Sequence, residues 1–332
     1  MVATAARTRL VPGLVVVAVV AAVATVAGRL VPLVGGPVFG IVLGVLAGML
    51  LPALRHERFG AGYSIAARPV LQLSIVVLGT GLSLQQVVRV GGESLPVMLG
   101  TLAVALGGAW LLGRLLGVRG DTQILIGVGT GICGASAIAA TSAVLRPRDA
   151  DIAYALGTIF TFNIAAVLIF PPLGHLMGMS PQEFGLWAGT AVNDTSSVVA
   201  ATVGYGGDAG SAGIVVKLTR ALTLIPIVLV LAVFAARRDR ARARLPWHRM
   251  VPLFLIGFLL AAGLNSAGMI PAAWHEPLAA AGTFLVTAAL AGIGLSLDPG
   301  QVRAAGARPL LLGGVLWIAV AASSLGLQAL VR

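Results

Sequence analysis

Three ionisable side chains stand where an apolar chain would ordinarily carry none. Ten of the eleven carboxylates lie in or beside connecting stretches, and Asp194 alone lies deep inside an apolar run, in Gly189-Thr190-Ala191-Val192-Asn193-Asp194-Thr195-Ser196-Ser197. Lys217 and Arg220 stand about a third of the way into the next run with no acid beside them. Three positions apart, they share one helix face. Two cations on one face repel unless a carboxylate or an anion sits between them, and the candidates are Asp194 and a substrate oxyanion. Charge at such depth is costly and marks a functional site by default. The chemistry these residues could do is ion binding and release. Simpler roles stand beside it: Asp194 or Thr195 as a helix N-cap, and the two cations reaching out to the interface.

A second polar constellation lies earlier, with Gly127, Gly129, Gly131 and Gly134 interleaved with Thr130, Cys133 and Ser136. Glycine and short polar side chains favour helix breaks and caps. A helix restarting near Ser136 would turn free N–H groups and its positive dipole end toward mid-membrane, which suits an anion. Thr130, Ser136, Thr195, Ser196 and Ser197 could add hydroxyls. Asn163, a lone amide in an apolar run, reads either as glue between helices or as a ligand. Cys133 reads as a small residue at a tight contact, and the only cysteine permits no internal disulfide. The four histidines (56, 175, 248 and 275) are scattered, so no metal cluster is expected. No phosphate-binding G-x-x-x-x-G-K-[ST] motif is present, which argues against an ATP-driven pump; a secondary transporter is the natural class, and no enzyme is expected.

The elements that must hold these residues are membrane helices. The chain has 332 residues, 58% hydrophobic and 10% charged, with a mean hydropathy of +1.01. That composition excludes an ordinary soluble, disordered or fibrous protein. Continuous apolar runs exclude a membrane β-barrel. Eleven stretches could reach across or deep into a bilayer: Leu10–Gly28, Leu30–Leu54, Pro69–Val88, Ser94–Gly113, Thr122–Leu145, Ile152–Gly174, Phe184–Gly207, Ala209–Ala236, Met250–Trp274, Pro277–Leu297 and Pro309–Val331. The short connections leave one integral membrane domain over residues 1–332. Pro171-Pro172 is expected to end or kink the sixth stretch. The net charge of +11 reads as positive-inside bias and lipid contact, above all in the Arg237–Arg249 loop, and not as nucleic-acid binding.

The chain also resembles itself. Gly129-Thr130 followed by Ala135-Ser136 matches Gly189-Thr190 followed by Thr195-Ser196, and Gly79-Thr80-Gly81-Leu82-Ser83-Leu84 matches Gly292-Ile293-Gly294-Leu295-Ser296-Leu297. No single offset relates both pairs, so the second repeat has its parts in a permuted order. With every stretch crossing from an inner N-terminus, 15 arginines fall inside and five outside. With the fifth and seventh returning to the side they entered, the split is 17 to three. The second arrangement makes those two stretches inverted copies. Gly129, Gly131, Gly134 and Gly189 are the expected helix-break positions. Nine crossings plus two re-entrant or broken segments follow, with the N-terminus cytoplasmic and the C-terminus outside.

The blocks Cys133-Gly134-Ala135-Ser136-Ala137-Ile138, Ile152 through Asn163, Phe170-Pro171-Pro172-Leu173-Gly174-His175, Leu186 through Ser196, and Val216-Lys217-Leu218-Thr219-Arg220 resemble the YeiH family of bacterial inner-membrane proteins, to which sulfate export is ascribed. The resemblance covers nearly the whole chain and is densest from 121 to 226. It implies an inverted-repeat, elevator-like carrier whose discontinuous helices cross fully near the midplane. Many relatives carry His before the acid where this chain has Asn193, so a His-assisted proton relay is not expected here.

The resulting expectation is an all-α polytopic secondary transporter that exports sulfate or a related small anion. Its partners would be that small inorganic or organic anion, a coupling proton or sodium ion and the bilayer, with homodimer assembly left open and no cofactor. Asp194, Lys217, Arg220, Ser136, Thr130, Thr195, Ser196, Asn163 and Asn193 are the candidate substrate-binding or ion-coupling residues. A cation–proton antiporter, with Asp194 carrying the ion and Lys217 competing for it, is one alternative. A non-transporting scaffold or regulator is the other, and it leaves three buried charges without a task.

Overall fold

The structure is a computed structural model that describes residues 2–31, 35–237, 253–297 and 306–331, and its regular structure there is helical throughout. The helices are α1 (Val2–Leu30), α2 (Gly35–Leu50), α3 (Glu57–Ile65), α4 (Leu71–Gly79), α5 (Leu84–Leu115), α6 (Asp121–Gly131), α7 (Ala135–Leu145), α8 (Asp149–Leu176), α9 (Pro181–Ala191), α10 (Thr195–Tyr205), α11 (Ala209–Leu222), α12 (Leu224–Arg237), α13 (Leu253–Ser266), α14 (Ala272–Ser296) and α15 (Ala307–Val331). A π-helical turn, Ala66–Val70, joins α3 to α4 in one span. Seven helices among the described residues are long and apolar enough to cross a membrane: Leu10–Leu30, Glu57–Gly79, Leu84–Leu115, Asp149–Leu176, Ala209–Phe234, Ala272–Ser296 and Ala307–Val331. α2 and α13 are shorter and run alongside them. The basic Arg237–Arg249 stretch lies outside the described residues beyond Arg237.

Hydropathy cannot say which face of such a helix points inward, because lipid is as apolar as a core. Residue size does. On α1 the valines 11, 15, 19, 23 and 26 face out, while Val17, Ala21 and Ala24 are buried. On α2, Gly40 and Gly44 lie against the backbone of Thr287 and Ala291 on α14, so close that a Cβ at either would strike a carbonyl oxygen. These glycines set the contact between the two helices.

The two glycine-rich stretches are helical hairpins and do not cross. Thr122, at the start of α6, donates to Asp151 Oδ1 (2.6 Å), just past the end of α7. Arg148 clamps the same carboxylate, Nε to Oδ2 at 2.8 Å. A straight crossing would hold Thr122 and Leu145 about 35 Å apart. In the second hairpin Tyr205, at the end of α10, donates to the Met179 carbonyl (2.5 Å) and stacks on Phe184 (3.8 Å between centroids). The full crossing implied by the family resemblance is therefore corrected, and the re-entrant arrangement stands. The physical reason is the three-residue tips, Ile132-Cys133-Gly134 and Val192-Asn193-Asp194, where the chain leaves helical geometry and reverses.

The hairpins approach from opposite ends. α11 begins at the base of the second hairpin, where Gly207 packs on Pro181, and α12 ends beside Val144 and Leu145 of the first. Their tips meet midway along α11–α12. Helix bounds at 121, 131, 135, 145 and 149 recur at 181, 191, 195, 205 and 209, each sixty residues on. Packing extends the correspondence. α4 and α14 lie antiparallel, Gly292 on Ala66 and Gly282 on Leu78, so the Gly-Leu-Ser-Leu ends are inverted as expected. α5 and α15 are antiparallel too, Gly100 on Leu327 and Gly108 on Leu316. The first repeat runs α2, α3–α4, α5, α6–α7, α8. The second runs α9–α10, α11–α12, α13, α14, α15, which is the same set circularly permuted. α1 stands outside both.

Of the two outcomes expected at Pro171-Pro172, an end or a kink, the end is ruled out. Pro171 and Pro172 do not end the helix, which continues to Leu176 and stops where Gly178 takes a left-handed φ of +63°. Aromatic packing around Phe170, stacked on Trp187 at 4.3 Å, holds the proline turn in place.

Candidate functional site

The site is the meeting point of the two tips. Each tip leaves one half-helix with unpaired carbonyls at its C-terminus and the next with unpaired N–H groups at its N-terminus. The C-terminal ends of α6 and α9 carry partial negative charge, and the N-terminal ends of α7 and α10 carry partial positive charge. In a water-poor interior these ends need partners.

Lys217 supplies the first. Its fully buried ammonium donates to the Ile132 carbonyl and to the Val192 carbonyl, each at 2.8 Å, so one cation closes the C-terminal ends of both hairpins. Arg220, one turn on and equally buried, donates from Nε to the Gly131 carbonyl at 2.6 Å. Its Nη1 and Nη2 have no hydrogen-bond partner among the described residues. Of the two candidates for the place between these cations, Asp194 and a substrate oxyanion, Asp194 forms no ion pair with Lys217, and backbone carbonyls accept from both cations.

Asp194 serves the opposite charge. It is the N-cap of α10 and accepts from the Ser196 amide (3.0 Å) and the Ser196 hydroxyl. Its own amide donates to Asn163 Oδ1 at 3.2 Å, tying α8 to the second tip. Asp194 also faces the first tip, since a Cβ built on Gly134 would lie 3.2 Å from its Cβ. α7 has no side-chain cap, and its first turn carries the exposed Ser136. Asp194, Thr195 and Ser196 are half-buried, so the N-terminal side of the site is open where the C-terminal side is sealed.

The remaining candidates divide. Asn163 Nδ2, Asn193 Oδ1 and Thr130 Oγ1 are buried at the tips with no partner among the described residues. Cys133 is buried in the apolar cluster behind the first tip. Gly134 is a true break, with φ +64°, and Gly131 is the last residue of α6. Gly129 and Gly189 are not breaks. They lie inside half-helices, against Ile138 and Ile159 in one case and Val216 in the other, where their small size admits the neighbour. A cleft of about 340 Å³ opens at the base of the second hairpin, with Arg89, Glu93 and Gln182 among its lining, and reaches Val216, next to Lys217. Sequence reasoning missed the carbonyls of Gly131, Ile132 and Val192. The available signal was the pair of breaks itself, because every broken helix gathers orphan carbonyls.

Comparison with known proteins places the chain among membrane proteins. The family described as conserved hypothetical protein 698 matches residues 12–313. The UPF0324 membrane protein FN0533 of Fusobacterium nucleatum is 38% identical over 324 residues, covering 91% of this chain and 92% of the relative. SAG1125 of Streptococcus agalactiae is 36% identical over 329 residues, with 96% and 97% covered. A third, spr0034 of Streptococcus pneumoniae, is 38% identical over 312 residues, with 92% of each chain covered. All three carry the same description, membrane protein, and the chain belongs to this UPF0324 membrane-protein family.

Proposed function

We propose that this protein is a secondary carrier, with no catalytic activity of its own, that exports a small oxyanion, sulfate or a related species. The observation that carries the reading is the convergence of two opposed hairpin tips on Lys217 and Arg220. Irregular backbone at membrane depth is tolerated only where it is packed in protein or lines a transport path. In secondary transporters substrate sites lie at such half-helix ends, between inverted repeats. Anion binding is supported by the uncapped start of α7, by Ser136 and Ser196, and by the two unpartnered nitrogens of Arg220. The cleft ending at Val216 supports access from the end where the second hairpin is based.

The orientation follows from charge. Arg114, Arg119, Arg146 and Arg148 gather at the end where the first hairpin is based. The positive-inside rule supports reading that end as cytoplasmic, and we place the protein in a bacterial inner membrane with the C-terminus outside. Counterflow of radiolabelled sulfate in proteoliposomes tests the function. Exchange above empty liposomes, lost in Arg220→Gln, is expected. A folded protein without exchange of sulfate, sulfite or an organosulfonate overturns the reading.

A second reading, cation–proton antiport, is favoured by one observation: Asp194 is a half-buried carboxylate with an unpartnered Asn163 amide at its side. Sodium-driven proton movement in the same liposomes, without anion exchange, would select it.

A further inference from the structure

We infer that the point between the carbonyls of Ile132 and Val192 is a monovalent-cation site, filled in this chain by its own Lys217 ammonium. Ile132 and Val192 are equivalent residues of the two repeats, sixty positions apart, and each accepts from Lys217 Nζ at the same 2.8 Å. The site is therefore equidistant from equivalent carbonyls of the two repeats, and the backbone of both builds it. Its occupant does not follow that symmetry. The position equivalent to Lys217 is Gly157 in α8, and the position equivalent to Arg220 is Phe160. One repeat alone supplies the charge that both require.

The chemistry of the ligand set is that of a hard monovalent cation. Two main-chain carbonyls converge at the negative ends of two half-helices, and such ends hold sodium in carriers with unwound helices. Thr130 Oγ1 and Asn193 Oδ1, further buried oxygens of the same tips, have no partner among the described residues. A primary ammonium satisfies the two carbonyls through N–H donors. Because it is covalently attached, the carrier takes no free cation there. Shortening the side chain should open a cation-sized hole that sodium or methylammonium enters.

The experiment is thermal unfolding of purified Lys217→Ala, Lys217→Met and the unaltered protein, each in sodium, methylammonium or tetramethylammonium chloride. The Ala variant should gain Tm with sodium or methylammonium, rising with the logarithm of concentration as bound-ligand linkage requires, and should ignore the bulky tetramethylammonium. Lys217→Met refills the hole without charge and should not respond, nor should the unaltered protein. If the Ala variant is recovered folded only when a small cation is present during purification, the site is supported equally. Three results overturn it: an Ala variant indifferent to every cation, an equal response in the Met variant or the unaltered protein, or no folded Ala variant in any of the salts. No readout involves transport, so failure of the anion reading and failure of this site are distinguishable.

Discussion

The two hairpin tips touch at Gly134 and Asp194: the Asp194 Cβ lies 3.2 Å from where a Gly134 Cβ would stand. Gly134 also takes a φ of +64° with ψ −128°, a region that residues with a side chain avoid. The contact and the backbone make the same demand, which is the absence of a side chain. Gly134→Ala should therefore cost about 1–3 kcal/mol, measurable as a fall in Tm. Gly131→Ala should cost less, because it lies within α6 without a left-handed φ and its added methyl meets only side-chain atoms, of Leu102 at 3.1 Å and Ala105 at 3.3 Å. Equal losses in the two variants would show that tip geometry is not what Gly134 provides.

Lys217 and Asp194 should separate in stability measurements. Lys217→Met strands the Ile132 and Val192 carbonyls, at about 1–3 kcal/mol for each unsatisfied buried group. Asp194→Asn keeps a good N-cap and should unfold close to the unaltered protein, while Asp194→Ala should lose about 0.5–2 kcal/mol. The double variant Asp194→Asn, Lys217→Met should not recover stability, because the two are not ion-paired. Recovery in the double variant would show that Asp194 and Lys217 are paired.

Hairpin topology can be read by labelling. In a Cys133→Ser background, a cysteine at Arg148 and one at Gly207 should react with impermeant maleimides from opposite sides of the membrane. Labelling of both from the same side would mean that the second stretch crosses the membrane and does not turn back.

The clamp at the base of the first hairpin gives a graded test. The Arg148 side chain is 83% exposed, so Arg148→Ala should cost little. Asp151→Ala should cost more, because it also removes the partner of the buried Thr122 hydroxyl. Urea or thermal midpoints of the two variants decide the order.

Much of this architecture was legible in residue order. Hydropathy announced a helical membrane protein. Gly129 to Ser136 and Gly189 to Ser196 announced two related breaks. The mismatch between the two self-similar pairs announced a permuted repeat, and arginine counts preferred hairpins to crossings. Each of these rests on side-chain type or spacing along one chain. Three things were decided only in three dimensions: the partners of the buried cations, the separation of Asp194 from Lys217, and the assignment of Gly129 and Gly189 to packing instead of breaks. The reason is physical. The groups that neutralise Lys217 and Arg220 are main-chain carbonyls, which every residue carries and no residue type advertises. They become acceptors for a cation only because two helices from opposite ends of the chain's fold stop at the same depth. Whether a glycine turns the backbone or merely admits a neighbour depends likewise on what stands beside it, and Ile138, Ile159 and Val216 were brought there by tertiary packing.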